Sequence, residues 1–194
     1  MVQLIGAAAG LLKPCKRYIC THDKNGRSVY AESPDQLFNG VPGFGGLARS
    51  FAVASVPANL ANDQDIKAYR AESGSTSYQG REIVNKEPSG VNLVVVDLEP
   101  GAKGTMHRTV SIDFSICVQG EIVHELDSGE TVTLHPGDHI VQRGTNHRWH
   151  NASKTKPARF VAVALPCVPF DIAGEPLRER HISSDKWDKM KAKL

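Results

Sequence analysis

No Cys-x-x-Cys pair occurs in this sequence, so the paired thiolates of a zinc knuckle are missing. The four cysteines are scattered. The gap between Cys15 and Cys20 specifies no disulfide, and Cys117 and Cys167 lie in apolar runs and read as buried free thiols. A reducing, cytoplasmic compartment is the simplest expectation. Charge of one sign is not in excess either: 23 Lys and Arg face 21 Asp and Glu, a net charge of +2. That balance carries no nucleic-acid footprint. Lys186, Lys189, Lys191 and Lys193 do cluster near the C-terminus, but Asp185 and Asp188 interleave with them, so they read as a solvated helix and not a DNA arm. Long apolar runs are lacking. The opening MVQLIGAAAGLLK is too short to span a bilayer and has no basic residue ahead of its apolar stretch. It reads as an amphipathic or irregular lead-in, and no membrane partner is expected. There is no internal repeat, no low-complexity segment and no second domain, and 194 residues suffice for one domain with a real core.

What the sequence does have is a stretch of strict alternation, MHRTVSIDFSICV, over residues 106–118. Met106, Val110, Ile112, Phe114, Ile116 and Val118 share one face with Arg108. His107, Thr109, Ser111, Asp113, Ser115 and Cys117 share the other. A period of two over this length argues a β-strand, or two strands joined by a bulge. The odd-numbered face carries small polar groups, one imidazole and one carboxylate, where an ordinary exposed face would carry Lys, Glu and Arg. Such a lining suits the inside of a barrel that holds a ligand.

The rest of the chain is arranged around that stretch. Residues 17–21 and 27–31 read as strands about the turn DKNG, and residues 33–46 are loop-rich. Residues 47–56 alternate as a strand, a short helix is expected around 63–69, and Pro88–Gly90 is a turn. Strands follow at 91–98, 121–126, 130–134, 139–142, 147–151 and 159–165, separated by turn signals. Many short strands so spaced argue an all-β sandwich or barrel. Residues 184–193 read as a helix capped by Ser184. Gly101, Gly120, Gly137 and Gly144 serve turns. Arg143 and Arg148 are expected outside the barrel, and His124, His135 and His139 at the surface or an edge. His22, His150 and His181 carry no motif.

Gly101, His107, Thr109, Asp113 and Gly120 stand at the spacings of G-x5-H-x-H-x3-E-x6-G, with Thr109 in place of the second His and Asp113 in place of Glu. Gly144, His147 and Asn151 fit G-x2-H-x3-N. The stretch upstream, from Gly137 to Gln142, is one residue short, and Gln142 stands where Pro is usual. In these two motifs the chain resembles the cupin superfamily, and in particular small single-domain cupins. The resemblance implies an all-β, cupin-type double-stranded β-helix (jelly-roll) barrel with an N-terminal β extension and a short C-terminal helix. Residues 1–90 would form strands packing on or swapping with the barrel, residues 91–166 the barrel core, and residues 167–194 the tail and helix. A homodimer paired through N-terminal strands is also implied.

The resemblance further makes His107, Asp113 and His147 candidate ligands of a divalent metal, Fe, Zn, Mn or Ni. Thr109 is a weaker donor than the imidazole it replaces. Two imidazoles and one carboxylate have the composition of an Fe(II) facial triad. Without a metal, the same three residues suit catalysis: His107 and His147 shuttle protons, and Asp113 orients an imidazole or acts as a base. A structural carboxylate–imidazole pair is the bland alternative, set against the cost of burying three ionisable groups without use. Thr109, Ser111, Gln142, Trp149 and Asn151 are expected to touch the ligand, with Trp149 an aromatic wall. Small cupins with an HRTxSxD-type motif resemble tailoring proteins of microbial or fungal secondary metabolism. Three readings stay open: a lyase- or isomerase-like enzyme moving protons on an aromatic or polyketide-like molecule, an Fe(II)-dependent dioxygenase, and a non-catalytic small-molecule-binding barrel.

Overall fold

The computed structural model describes residues 12–13, 15–84 and 90–192. The opening apolar run through residue 11, and Pro88 and Ser89 of the expected turn, lie outside the described residues. The elements are β1 (Ile19–His22), β2 (Ser28–Ala31), β3 (Asn39–Val41), β4 (Gly45–Val53), α1 (Gln64–Arg70), β5 (Val91–Leu98), β6 (Met106–Arg108), β7 (Ser111–Gln119), β8 (Ile122–Leu126), β9 (Thr131–Leu134), β10 (His139–Arg143), β11 (His147–Asn151), β12 (Ala158–Pro166), β13 (Asp171–Ile172), β14 (Glu175–Pro176), β15 (Arg180–Ile182) and α2 (Ser184–Lys191). No helix among them is long and apolar enough to cross a membrane.

Two sheets close into a jelly-roll barrel. One runs β10-β7-β12-β5-β4-β3 and the other β15-β6-β11-β8-β9. β5, VNLVVVDL, is rich in β-branched residues and buried along nearly its whole length, as befits a strand hydrogen-bonded on both sides and covered on both faces. Its Val94, Val96 and Leu98 join Trp149 and Phe160 in the main core. Val95, on the opposite face, packs with Phe38 and Ala48 of the N-terminal region. That region therefore does more than cover the barrel: β3 and β4 are strands of the six-stranded sheet.

The alternating stretch is two strands in different sheets. The chain leaves β6 after Arg108 and enters β7 at Ser111, so it turns a corner of the barrel. Along β7 the odd positions Ser111, Asp113, Ser115 and Cys117 are buried, while Phe114 and Val118 are 42% and 43% exposed. Polar groups thus face in and apolar groups face out. Met106 departs from this rule. It is even-numbered yet fully buried, because Ile182 and Trp187 cover the outer side of β6.

The short pairings β3, β13–β14 and β15 were not signalled by sequence, since runs of two or three residues carry no periodicity. The N-cap of α2 is Ser183 and not Ser184; Ser184 opens the helix and its hydroxyl donates to the Gly104 carbonyl at 3.0 Å. Gly101, Gly120, Gly137 and Gly144 all have positive φ, as their turn positions require.

Candidate functional site

His107 and His147 are register partners across β6 and β11, and their ring centroids lie 4.4 Å apart. The two rings are fixed in the same local way. Nδ1 of His107 donates to the Thr105 carbonyl at 2.9 Å, and Nδ1 of His147 to the Thr145 carbonyl at 3.0 Å. A carbonyl only accepts, so each Nδ1 carries the proton, and in the neutral ring each Nε2 is left with its lone pair. Burial lowers the pKa of His107, and takes that of His147 down to about 3 with the neighbouring His107 adding to it. Both rings are neutral near pH 7.

Asp113, on β7, is the third member. Ser111 Oγ donates to its Oδ2 at 3.0 Å and itself pairs with Thr109 Oγ1 at 2.6 Å. Oδ1 of Asp113 is buried with no partner. Burial pushes the Asp113 carboxyl up to about 6 against the opposing bond from Ser111. The carboxyl therefore holds its proton at a pH where the His147 imidazole has already lost its own, an inversion of their order in water.

These groups line a cavity of about 450 Å³ inside the barrel. His107, Thr109, Asp113 and His147 form its polar side. Trp149 and Phe160, stacked at 4.7 Å, form a flat aromatic wall with Val94 and Val96 beside them. Gly104 also lines it, its chain so close that a Cβ there would stand 2.9 Å from the Trp149 carbonyl oxygen. A second cavity, of about 740 Å³, lies outside and shares Ile83, His107, Thr109 and His181 with the first.

The remaining expected ligand contacts are placed otherwise. Ser111 is fully buried and spends its hydroxyl on Asp113. Gln142 is turned to His124 Nε2, at 2.9 Å, and to Thr145. Asn151 Nδ2 donates to the carbonyls of Leu98, Glu99 and Lys156, clamping a loop.

Two residues, His124 and His181, were misplaced or passed over by sequence reasoning, and Arg148 lies outside the barrel as expected but is covered. His124, expected at the surface, is buried with its ring 5.3 Å from His147, because β8 pairs with β11 and sets it opposite Trp149. Its place between Ile122 and Leu126 was the available signal. Arg148, expected outside, is 2% exposed: it does point away from the cavity, but α2 covers that wall. His181, without a motif, stacks on His107 at 5.8 Å and 7°.

A metal would find two good donors here, the free Nε2 atoms of His107 and His147, and the unpartnered Oδ1 of Asp113 is chemically suited to join them. The set is not assembled, however. Among the described residues no three His, Cys, Asp or Glu side chains form a group able to hold a metal ion. Of the three candidate ligands, His107 and His147 stand side by side.

The family model for the Cupin domain matches residues 94–164. Over 170 residues the chain is 40% identical to the phomopsin biosynthesis cluster protein C' of Diaporthe leptostromiformis, covering 86% of each chain. It is 32% identical over 169 residues to the oryzines biosynthesis cluster protein J of Aspergillus oryzae, covering 84% of this chain and 89% of that one. It is 30% identical over 172 residues to a cupin-domain-containing oxidoreductase of Neurospora crassa, covering 88% of this chain and 82% of that protein.

Proposed function

The chain belongs to the family of cupin-domain proteins, and from that premise we propose that it is a tailoring enzyme of secondary metabolism that moves protons on an aromatic or polyketide-like molecule held in the barrel. The observation that carries this reading is the pair His107 and His147, rings 4.4 Å apart with both Nδ1 atoms tethered, at the polar side of a cavity with an aromatic wall. A flat ring lying against Trp149 and Phe160 would present its edge to the two free Nε2 atoms. One imidazole accepts a proton from the substrate. Asp113, with its raised pKa, or the imidazolium so formed, returns one to the leaving oxygen or to carbon. Dehydration, which releases water, decarboxylation, which releases CO2, cyclisation and isomerisation are all redox-neutral and are promoted by such a transfer between a base and an acid in one cavity. The names of the cluster proteins of Diaporthe and Aspergillus support the metabolic setting.

The test is turnover of a panel of phenolic and polyketide-like compounds by His147→Ala. Loss of turnover with an unchanged circular dichroism spectrum is expected; wild-type turnover would remove the reading. A metal-dependent redox reaction is the second reading, favoured by the name of the Neurospora relative and by the unpartnered Oδ1 of Asp113. Elemental analysis of freshly purified protein separates the two. One equivalent of iron, lost together with activity on chelation, would favour the second. Tight binding of a ligand without turnover would favour a binding barrel.

A further inference from the structure

We propose that the Glu179–His181 pair of the C-terminal segment sets the reach of the substrate site, so that the ligand spans both cavities: an apolar ring system in the barrel and a neutral, hydrogen-bonding tail in the outer chamber. This rests on the reading of the barrel as a ligand site. It adds a specificity-determining residue and a tail to the substrate, neither of which the motifs indicate.

Three observations carry it. First, strand pairing places three imidazoles in one row. β15 pairs with β6 in the register His181↔His107, and β6 with β11 in the register His107↔His147. Residues directly opposite in a ladder point to the same face, so His181 extends the row of site imidazoles toward the outside. Second, His181 is one of the four residues common to both cavities. A ligand passing from one cavity to the other must pass its ring, whose side chain is 61% exposed. Third, Glu179 Oε1 lies 3.1 Å from His181 Nε2. A carboxylate there accepts a hydrogen bond from Nε2–H, and in the neutral ring of that tautomer Nδ1 is an acceptor, which suits a hydroxyl or amide N–H of the ligand.

The position of His181 is secured from behind. Ile182, the next residue and so on the opposite face, is buried with Met106 and Trp187, and Arg108 Nε donates to the Arg178 carbonyl at 2.9 Å. The outer chamber names the tail by its wall. Arg81 brings one sign of charge and Glu82 and Glu179 the other, and Glu82 is already paired with Arg49. A net charge on the tail would meet repulsion from one side. A neutral group that both donates and accepts, as an amide does, meets partners on both.

The test compares two probes in calorimetric titrations: 2-naphthamide, short enough for the barrel, and N-(2-naphthoyl)glycylglycinamide, the same head with an amide tail. The wild-type protein is expected to bind the extended probe about tenfold more tightly than the short one, the scale of one or two net hydrogen bonds. His181→Ala should erase that ratio, with the loss of affinity falling on the extended probe. His181→Phe, which keeps a ring stacked on His107 but has no ring nitrogen, should erase it as well. Equal affinity of the wild type for both probes would overturn the inference while leaving the barrel site standing. So would a ratio that survives in His181→Phe, or a fall in both affinities together in His181→Ala, which would mean that the ring only braces His107. Failure of the wild type to bind either probe would sink the reading of the barrel as an aromatic site, and this inference with it.

Discussion

Arg148 clasps both carboxylate oxygens of Glu125 on the outer wall of the barrel, Nε to Oε2 at 2.9 Å and Nη2 to Oε1 at 3.1 Å. Both residues are nearly fully buried, because α2 lies over them. Glu125 also accepts from His150, Trp187 and Lys191. Burial alone would raise its pKa, but these donors together hold it far below the usual carboxylate range. Removing one partner of a buried pair costs about 3–5 kcal/mol where it strands the other charge. Here Arg148 would keep the half-exposed Asp188, 2.9 Å from its Nη1, which sets the lower end of that range. Glu125→Ala should therefore lose stability on that scale in urea unfolding. Lys191→Ala, at a half-exposed site, should lose less than about 1 kcal/mol. Similar losses in the two variants would show that the cluster is not what fastens α2.

The same cluster marks the limit of what the chain's pattern discloses. Val91–Leu98 and His147–Asn151 were legible to the residue, since one is a β-branched run and the other is bounded by turn signals. His107, Asp113 and His147 were legible as lining of one cavity only through the resemblance to the two motifs, and Ser111, Asp113, Ser115 and Cys117 as one buried face from their alternation. Arg148 and Glu125 were not, because a charge on the outer face of a barrel strand reads as solvated until another element covers it. His181 was illegible for a related reason. Its strand is three residues long and is paired to β6 by contacts made about seventy positions away in sequence.

Acid should weaken the fold through His147. Its folded pKa is about 3 against about 6.5 for an unperturbed histidine. Between those values the unfolded chain binds a proton that the folded chain refuses, so stability is full above about pH 6.5 and falls as pH drops below it. Asp113 works in the opposite sense. Its folded pKa of about 6 lies above the ordinary 3.8, so its contribution falls as pH rises from 3.8 to 6. Urea unfolding from pH 7.5 to 4 should show a net loss on acidification in the wild type. The loss should be shallower in His147→Gln and steeper in Asp113→Asn. Parallel curves for all three proteins would count against the burial of these groups.

Asn92 offers a stabilising change. It is fully buried on β5, between Ala52 and Ala164 in register, and neither its Oδ1 nor its Nδ2 has a partner among the described residues. Burying an amide without a partner costs about 1–3 kcal/mol, and the flanking alanines leave room for an apolar side chain of similar volume. Asn92→Leu should raise the melting temperature by a few degrees, measured by differential scanning calorimetry. A lower melting temperature would mean that the amide is engaged after all.

Ala162 allows the location of the site to be tested without touching any polar group. It lies on β12 between Ser115 and Val94 in register and lines the barrel cavity beside Trp149 and Phe160. Ala162→Leu would extend three further carbons into a space of about 450 Å³. The added carbons meet open volume and not packed atoms, so the usual cost of overfilling a core does not arise and their burial favours the fold. A ligand seated against the aromatic wall would lose that room. The expected outcome is a melting temperature equal to or above that of the wild type, together with a fall of at least about tenfold in kcat/KM or in probe affinity. His107, Asp113 and His147 keep their own bonds in this variant, so the loss would be steric. Unchanged affinity with the cavity so narrowed would place the ligand outside the barrel and leave the two imidazoles without a substrate to act on.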